Sequence, residues 1–145
     1  MPELPEVENT RRNLVRAGLP GCTITGANIT WANTVKKPSA AELAEGLKDR
    51  TIQDVQRRGK FLIFPLSGGG PAAFIVHLGM TGRTSFGEST SHSLPNLSPE
   101  PFDDEFTIET LAESFARRKA PVKAMLLDQS IVCGLGNLYA DESLF

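Results

Sequence analysis

Pro2 and Glu3 are the first residues in the chain whose types and adjacency could do covalent chemistry. The initiator Met is usually removed before a small residue such as proline, which leaves Pro2 with a free secondary amine. Such an amine can attack a sugar C1′ or an aldehyde. The product is a cationic iminium, because the nitrogen has no second proton to lose. That cation is an electron sink: it acidifies the neighbouring carbon and permits elimination, which is covalent amine catalysis. Glu3 stands beside the amine and can move protons. The same two residues have a plainer reading, in which Pro and Glu simply start a helix.

The elements that must position this pair can be read in order. Leu4 to Ala17 predicts a helix: Pro5 suits the first turn, Glu6 and Glu8 favour its positive end, and Gly18 stops it. Val7, Leu14 and Ala17 fall on one stripe. Cys22 to Thr30 and Thr51 to Arg57 alternate as strands, with a short helix near Ala40–Leu47 between them. Lys60–Leu66 and Ala72–Leu78 are apolar runs separated by Ser67-Gly-Gly-Gly70, the pattern of a hairpin. Residues 81–103 are polar and rich in Ser, Pro and Gly, which predicts a linker. Beyond it the period becomes helical. Thr107 caps a helix through Arg118 with Ile108, Leu111 and Phe115 on one face; Pro121 opens a second helix; Asn137 begins a third after Gly134-Leu-Gly136. The third helix meets Phe145 after barely two turns, too short to stand without packing, as in a truncated domain.

Bulk properties narrow the class. The chain has 145 residues, 40% of them hydrophobic and 22% charged, enough for one domain or one domain and part of a second. No apolar run reaches the roughly 18 residues of a membrane span. No basic-then-apolar leader is present, so the cytoplasm is the default expectation. Cys22 and Cys133 lack a CxxC or a His neighbour and read as reduced core residues; there is no zinc signature. Net charge is −2, which does not suggest a nucleic-acid binder. The distribution says more: residues 1–60 hold ten Lys and Arg against seven acids, 84–116 hold seven acids and no base, and Arg117, Arg118, Lys119 and Lys123 then arrive together. Phosphate binding depends on such local patches rather than on the total.

Four blocks in order carry a family resemblance: MPELPEVE with Arg11-Arg12, Gln56-Arg-Arg-Gly-Lys60, His77-Leu-Gly-Met80 with Thr81-Gly82, and Leu127-Asp-Gln129 leading into Gly134-Leu-Gly-Asn137-Leu-Tyr-Ala-Asp-Glu-Ser-Leu-Phe145. They resemble the formamidopyrimidine-DNA glycosylase family over residues 1–86 and about 97–145. The related endonuclease VIII branch opens differently and lacks the HLGM block. The resemblance implies an α+β fold: an N-terminal helix plus antiparallel β-sandwich over 1–86, a linker over 87–103, and the first part of a helix-two-turns-helix DNA-binding domain over 104–145. It implies a base-excision-repair DNA glycosylase and AP lyase acting on double-stranded DNA with oxidised purines such as 8-oxoguanine and formamidopyrimidines. The alternative is a catalytically silent module of the same fold that only grips damaged DNA.

Residue by residue, Pro2 matches the Schiff-base nucleophile and Glu3 the proton donor. Glu6 matches a supporting carboxylate, and Glu142 an acidic helix residue near the active site. Lys60 matches a strand lysine that contacts phosphate and assists β-elimination; position alone favours an exposed lysine opening a strand. Met80 matches a residue inserted into the void left by a flipped nucleotide, where an apolar wedge replaces lost stacking. Without the resemblance it reads as core. Asn137 matches a phosphate ligand at a helix N-terminus, and Arg118 and Lys123 match basic positions facing the DNA backbone. His92 matches a DNA-contacting histidine or, on its surroundings, is a solvated loop residue.

Two departures bear on activity. Phe86 reaches the Leu97-Ser-Pro-Glu-Pro block in ten residues, with no arginine between, where the family continues through several strands that carry an Arg-Arg-Phe wedge. The rest of the helical domain and a C-terminal zinc finger are also lacking. No cofactor is therefore expected in this chain, although a full-length member would carry one structural zinc. Members are usually monomeric, but an incomplete sheet leaves an edge open to dimerisation or strand exchange. Weak or absent glycosylase activity is the expectation for the chain as it stands.

Overall fold

The computed structural model describes residues 1–79 and 97–145, with the backbone of one strand at 83–87 between them. It divides into two units, Met1–Leu94 and Pro95–Phe145. Helices and a largely antiparallel sheet place it in the α+β class.

In the first unit, α1 spans Leu4–Arg16. Pro5 sits in its first turn, and the Glu6 carboxylate accepts the backbone N–H of Glu3 at 2.9 Å. The chain start is thereby fixed to the helix end. Leu4 and Val7 are buried, and Leu14 packs beside them, whereas Ala17 is an exposed cap. A 3₁₀ turn at Ala32–Thr34 leads into β1, Val35–Lys37. Next comes α2, Ala40–Leu47, whose cap Ser39 and third residue Glu42 bond reciprocally. The expected strand over Cys22–Thr30 does not form: only Thr23 bridges to Thr51. Backbone bonds from Ile24 and Asp49 tie this segment down instead, while Ile24, Ala27 and Ile29 pack on the core. Cys22 is exposed, contrary to the core expectation, and Cys133 is buried; both are free thiols.

The sheet is ordered β1-β6-β5-β4-β2, with β3 also on β4. Its remaining members are β2 (Thr51–Ile52), β3 (Gln56–Arg58), β4 (Phe61–Ser67), β5 (Ala73–His77) and β6 (Arg83–Gly87). The expected strand from Thr51 to Arg57 is thus split by a bulge. Ile52 pairs with Leu66 and Gln56 with Ile63, so residues 53–55 face only 64 and 65. The bulge falls opposite Pro65, which has no N–H to offer. It has a packing consequence. Ile52 and Val55 are an odd number apart and would face opposite ways in a regular strand, yet both enter one core cluster. That cluster joins Val7, Leu43, Leu47, Leu62, Phe64 and Leu66 beneath the two helices. Ile63, Ala73 and Ile75 form a smaller cluster with Phe61 on the other face.

The hairpin expected across Ser67–Gly70 is present, and β6 pairs with β5 inside the stretch expected to be linker. Polar composition hid that strand, because its partners supply the pairing. In the second unit, α3 (Ile108–Ala116), α4 (Val122–Leu127) and α5 (Asn137–Leu144) start at the expected caps. Leu126, Val132 and Ala140 make its core with Phe106 and Phe115 against them, while Ile108 is exposed. Residues of the expected linker belong here by hydrogen bonding: Ser98 N–H donates to Gln129 and Cys133 N–H to Pro99.

One buried charge organises the glycine loop. Arg50 is 6% exposed and donates to the carbonyls of Ser67 (2.7 Å) and Pro71 (2.6 Å). At Gly70, φ is +101° and an added Cβ would lie 2.9 Å from the guanidinium, so the loop has room only for glycine there. Arg50→Ala is expected to cost about 2–4 kcal/mol, because two part-buried carbonyls lose the donor of a buried guanidinium. Arg50→Lys should recover less than half, since an ammonium cannot reproduce the fork. Urea denaturation of the two variants against the parent chain checks both.

Candidate functional site

The N-terminal constellation is built on α1. Pro2 is partly buried and Glu3, the cap residue, is 7% exposed. A glutamate at that depth is held by the fold rather than solvated. Glu6 is exposed and its carboxylate accepts the cap bond from the Glu3 N–H, a positioning task that matches its helix-end reading.

Lys60 lies in a two-residue turn, Gly59-Lys60, between the paired residues Arg58 and Phe61. Gly59 has φ +56°, the positive first central position that a type II′ hairpin demands. Position alone favoured an exposed Lys60 opening a strand, whereas the QRRGK match read it as a functional strand lysine. The structure puts it in the turn and leaves it only 8% exposed. Burial of an ammonium is costly unless it is compensated, so its position is specified by the fold.

Glu8 fastens α1 to this turn. Its Oε1 accepts from Arg11 (2.8 Å) and Arg12 (2.9 Å), and its Oε2 from Arg57 on β3 (3.0 Å). Arg57 also donates to the carbonyl of Gly59 at 3.1 Å, and Arg11 to that of Val55 at 3.4 Å. One carboxylate thus joins helix α1, capped by Glu3, to strand β3, which leads into the Lys60 turn. Neither Glu8 nor Arg57 was singled out from sequence; the signal was the pairing of an acid one turn into the helix with the QRRGK block. Hydrogen bonding by Arg11, then by Arg57 and Arg12, lowers the Glu8 carboxyl to about 2. His77, another residue passed over, pairs across the sheet with Phe61 next to the Lys60 turn, their rings 4.7 Å apart.

In the second unit, Asn137 is the exposed first residue of α5, behind a Gly136 cap that offers no side chain. The approach to it is set by Gln129. Its amide donates to the carbonyls of Leu127 and Leu135 (3.0 Å each) and its oxygen accepts from Gly134 N–H (2.9 Å). Arg118 and Lys123, read as phosphate-facing, both meet acids. Arg118 pairs with Asp128 and donates to Ser130, and Lys123 meets Asp141 at 2.6 Å. The Asp128 carboxyl is held below its ordinary range chiefly by Ser130, with Arg118 adding to it. Exposed pairs of this kind contribute about 0–1 kcal/mol, so phosphate can compete for the cations. Glu142 is exposed on α5. Met80 and His92 lie outside the described residues. Among the described residues, no helix is long and apolar enough to cross a membrane.

The first unit thus sets Pro2 and a buried glutamate at the start of a capped helix and a buried lysine in the turn of an adjoining hairpin, and a small helical unit follows in sequence. The pattern of the formamidopyrimidine-DNA glycosylase N-terminal domain matches residues 1–118, and that of the family's H2TH domain matches 97–145. The chain belongs to the formamidopyrimidine-DNA glycosylase family. It is 37% identical to the formamidopyrimidine-DNA glycosylase of Pelotomaculum thermopropionicum, covering 99% of this chain and 66% of that protein. Against the corresponding Bacillus licheniformis protein identity is also 37%, over all of this chain and 66% of the relative. The fold matches the MutM (Fpg) protein of Thermus thermophilus (TM-score 0.82, 30% identity, 99% of this chain and 63% of that one). It also matches Lactococcus lactis Fpg in complex with DNA containing an abasic site (TM-score 0.86, 29% identity, 98% and 65%). The chain therefore spans just under two-thirds of the length of these relatives. The Pelotomaculum alignment runs over 184 residues whereas this chain has 145, so the relative holds residues within that span that have no counterpart here.

The depressed Glu8 carboxyl makes a pH prediction. Its folded value, about 2, lies below the ordinary 4.5, so its stabilisation is present above pH 4.5 and is lost as pH falls towards 2. The full shift corresponds to about 3 kcal/mol, less what solvent at Arg12 screens. Glu8→Gln should be less stable at neutral pH by about 2 kcal/mol and should lack that acid-side loss. Urea midpoints measured from pH 7 to pH 2 for both proteins check it; parallel curves would contradict the assignment.

Proposed function

We propose that this chain carries the nucleophile set of a base-excision DNA glycosylase and AP lyase acting on oxidised purines in double-stranded DNA. The observation that carries the reading is the fastening by Glu8 of the Pro2–Glu3 helix to the Lys60 hairpin. It sets an amine, a buried carboxyl and a buried ammonium on one joined framework.

In this reading, Met1 is removed and a damaged nucleotide leaves the stack, at a cost of a few kcal/mol that a poorly stacked lesion reduces. The Pro2 nitrogen attacks C1′ and the glycosidic bond breaks, with Glu3 moving the proton that opens the sugar or releases the base. The iminium acidifies C2′; loss of that proton expels the 3′ phosphate, and Lys60 offsets the charge that develops on it. Met80 fills the vacated space, and Asn137, Arg118, Lys123 and His92 hold the backbone. Glu142 keeps the role of the family's acidic helix residue. The names of the relatives and the DNA complexes among the similar structures support this reading.

The residues that the relatives hold within the aligned span, and this chain does not, favour a second reading: a module that grips damaged DNA without processing it. Borohydride trapping on a duplex containing 8-oxoguanine separates the two. The chain should give a faint covalent adduct that Pro2→Gly abolishes. Retention of the duplex with no adduct at any enzyme concentration would establish the silent module. An adduct at the yield of a full-length family enzyme would contradict the expected impairment.

A further inference from the structure

Between Glu8 and Glu42 the chain holds five basic residues and no acid. Arg11 and Arg12 are engaged by Glu8. Lys36 and Lys37 are exposed on β1, the outermost strand of the sheet. Just before them Trp31 leaves 51% of its surface in water. Its backbone is not loose: Thr34 donates to the Trp31 carbonyl through both its N–H (3.1 Å) and its Oγ1 (2.7 Å), closing the 3₁₀ turn. The fold therefore fixes the backbone of a half-exposed tryptophan in the turn that leads into the strand carrying two exposed lysines.

Register places this patch relative to the Lys60 turn. Across the sheet Phe61 pairs with His77 and His77 with Arg83; the next row runs Leu62, Val76, Thr84, Val35. Because β1 runs parallel to β6, the turn before Val35 lies at the same end of the sheet as Gly59-Lys60. It is three strand spacings away, about 14 Å, a distance that a few nucleotides cross.

We propose that Trp31, Lys36 and Lys37 form an accessory contact for single-stranded DNA at the β1 edge of the described sheet. The lysines take phosphates and the indole stacks on an unpaired base. Charge decides the occupant: the patch is basic with no neighbouring acid in sequence, and every base offers a π-face irrespective of identity. The proposal rests on the glycosylase reading only for bringing DNA to the Lys60 end.

Trp31 is the sole tryptophan, so its fluorescence reports on the site directly. Titration of the whole chain with oligothymidylate should quench the emission, with an affinity that falls steeply as salt rises. In fluorescence anisotropy with a labelled oligonucleotide, Lys36→Ala/Lys37→Ala and Trp31→Ala should each weaken binding about tenfold, and Trp31→Phe much less. These side chains are exposed, and circular dichroism should show all variants folded. Unchanged emission at saturation overturns the proposal. So does unchanged affinity in the double-lysine variant, the result expected if the lysines only guard an open strand edge against pairing. Binding of duplex alone, with Trp31 silent, overturns it too. Covalent trapping without quenching sinks this contact and spares the glycosylase reading; quenching without trapping does the reverse.

Discussion

The Glu8 carboxylate, shared among three guanidinium groups, is the interaction on which the arrangement of the first unit depends. Helix α1 has its own apolar contacts through Leu4 and Val7, but apolar packing is non-directional and tolerates sliding. Charged hydrogen bonds to Arg57 are directional, and Arg57 in turn holds the carbonyl of Gly59. The geometry of the Lys60 turn is thus carried to the helix that starts at Pro2–Glu3.

Around that fastening, β4 is the strand that everything else reads. One of its edges pairs with β5, the other successively with β3 and β2, and both of its faces are buried. The bulge opposite Pro65 lets Ile52 and Val55 enter the same cluster and turns the QRR segment towards α1. Arg50 closes the far end by holding the glycine loop through two carbonyls. The Lys60 turn lies at one end of β4 and the most demanding loop at the other.

The second unit shows the opposite economy. Its expected DNA-facing cations are paired with local acids, Arg118 with Asp128 and Lys123 with Asp141. Such exposed pairs hold side chains ready at little cost and exchange easily for phosphate. The rigid part is the turn before α5, where Gln129 satisfies two carbonyls and an N–H around buried Val132 and Cys133. The charged pairs lie at the surface, while the backbone of the turn before α5 is fixed beneath.

Sequence by itself determined what is local. Helix starts at Leu4 and Ile108 followed from Pro and Thr chemistry, a short helix near Ala40 was legible as well, and the Ser67–Gly70 hairpin followed from its glycines. The four blocks identified the family because their order and spacing are written in the chain itself. Tertiary structure alone decided the rest. Cys22–Thr30 alternates like a strand but finds no ladder, whereas polar 83–87 becomes one because β5 and β1 offer edges. The burial of Glu3 and Lys60, the bulge at 53–55 and the pairings of Glu8 and Arg118 bring together residues that are ten to fifty positions apart. Periodicity and propensity report on near neighbours only. Which cation meets which acid, and which charge leaves water, is settled when distant segments compete for the same space.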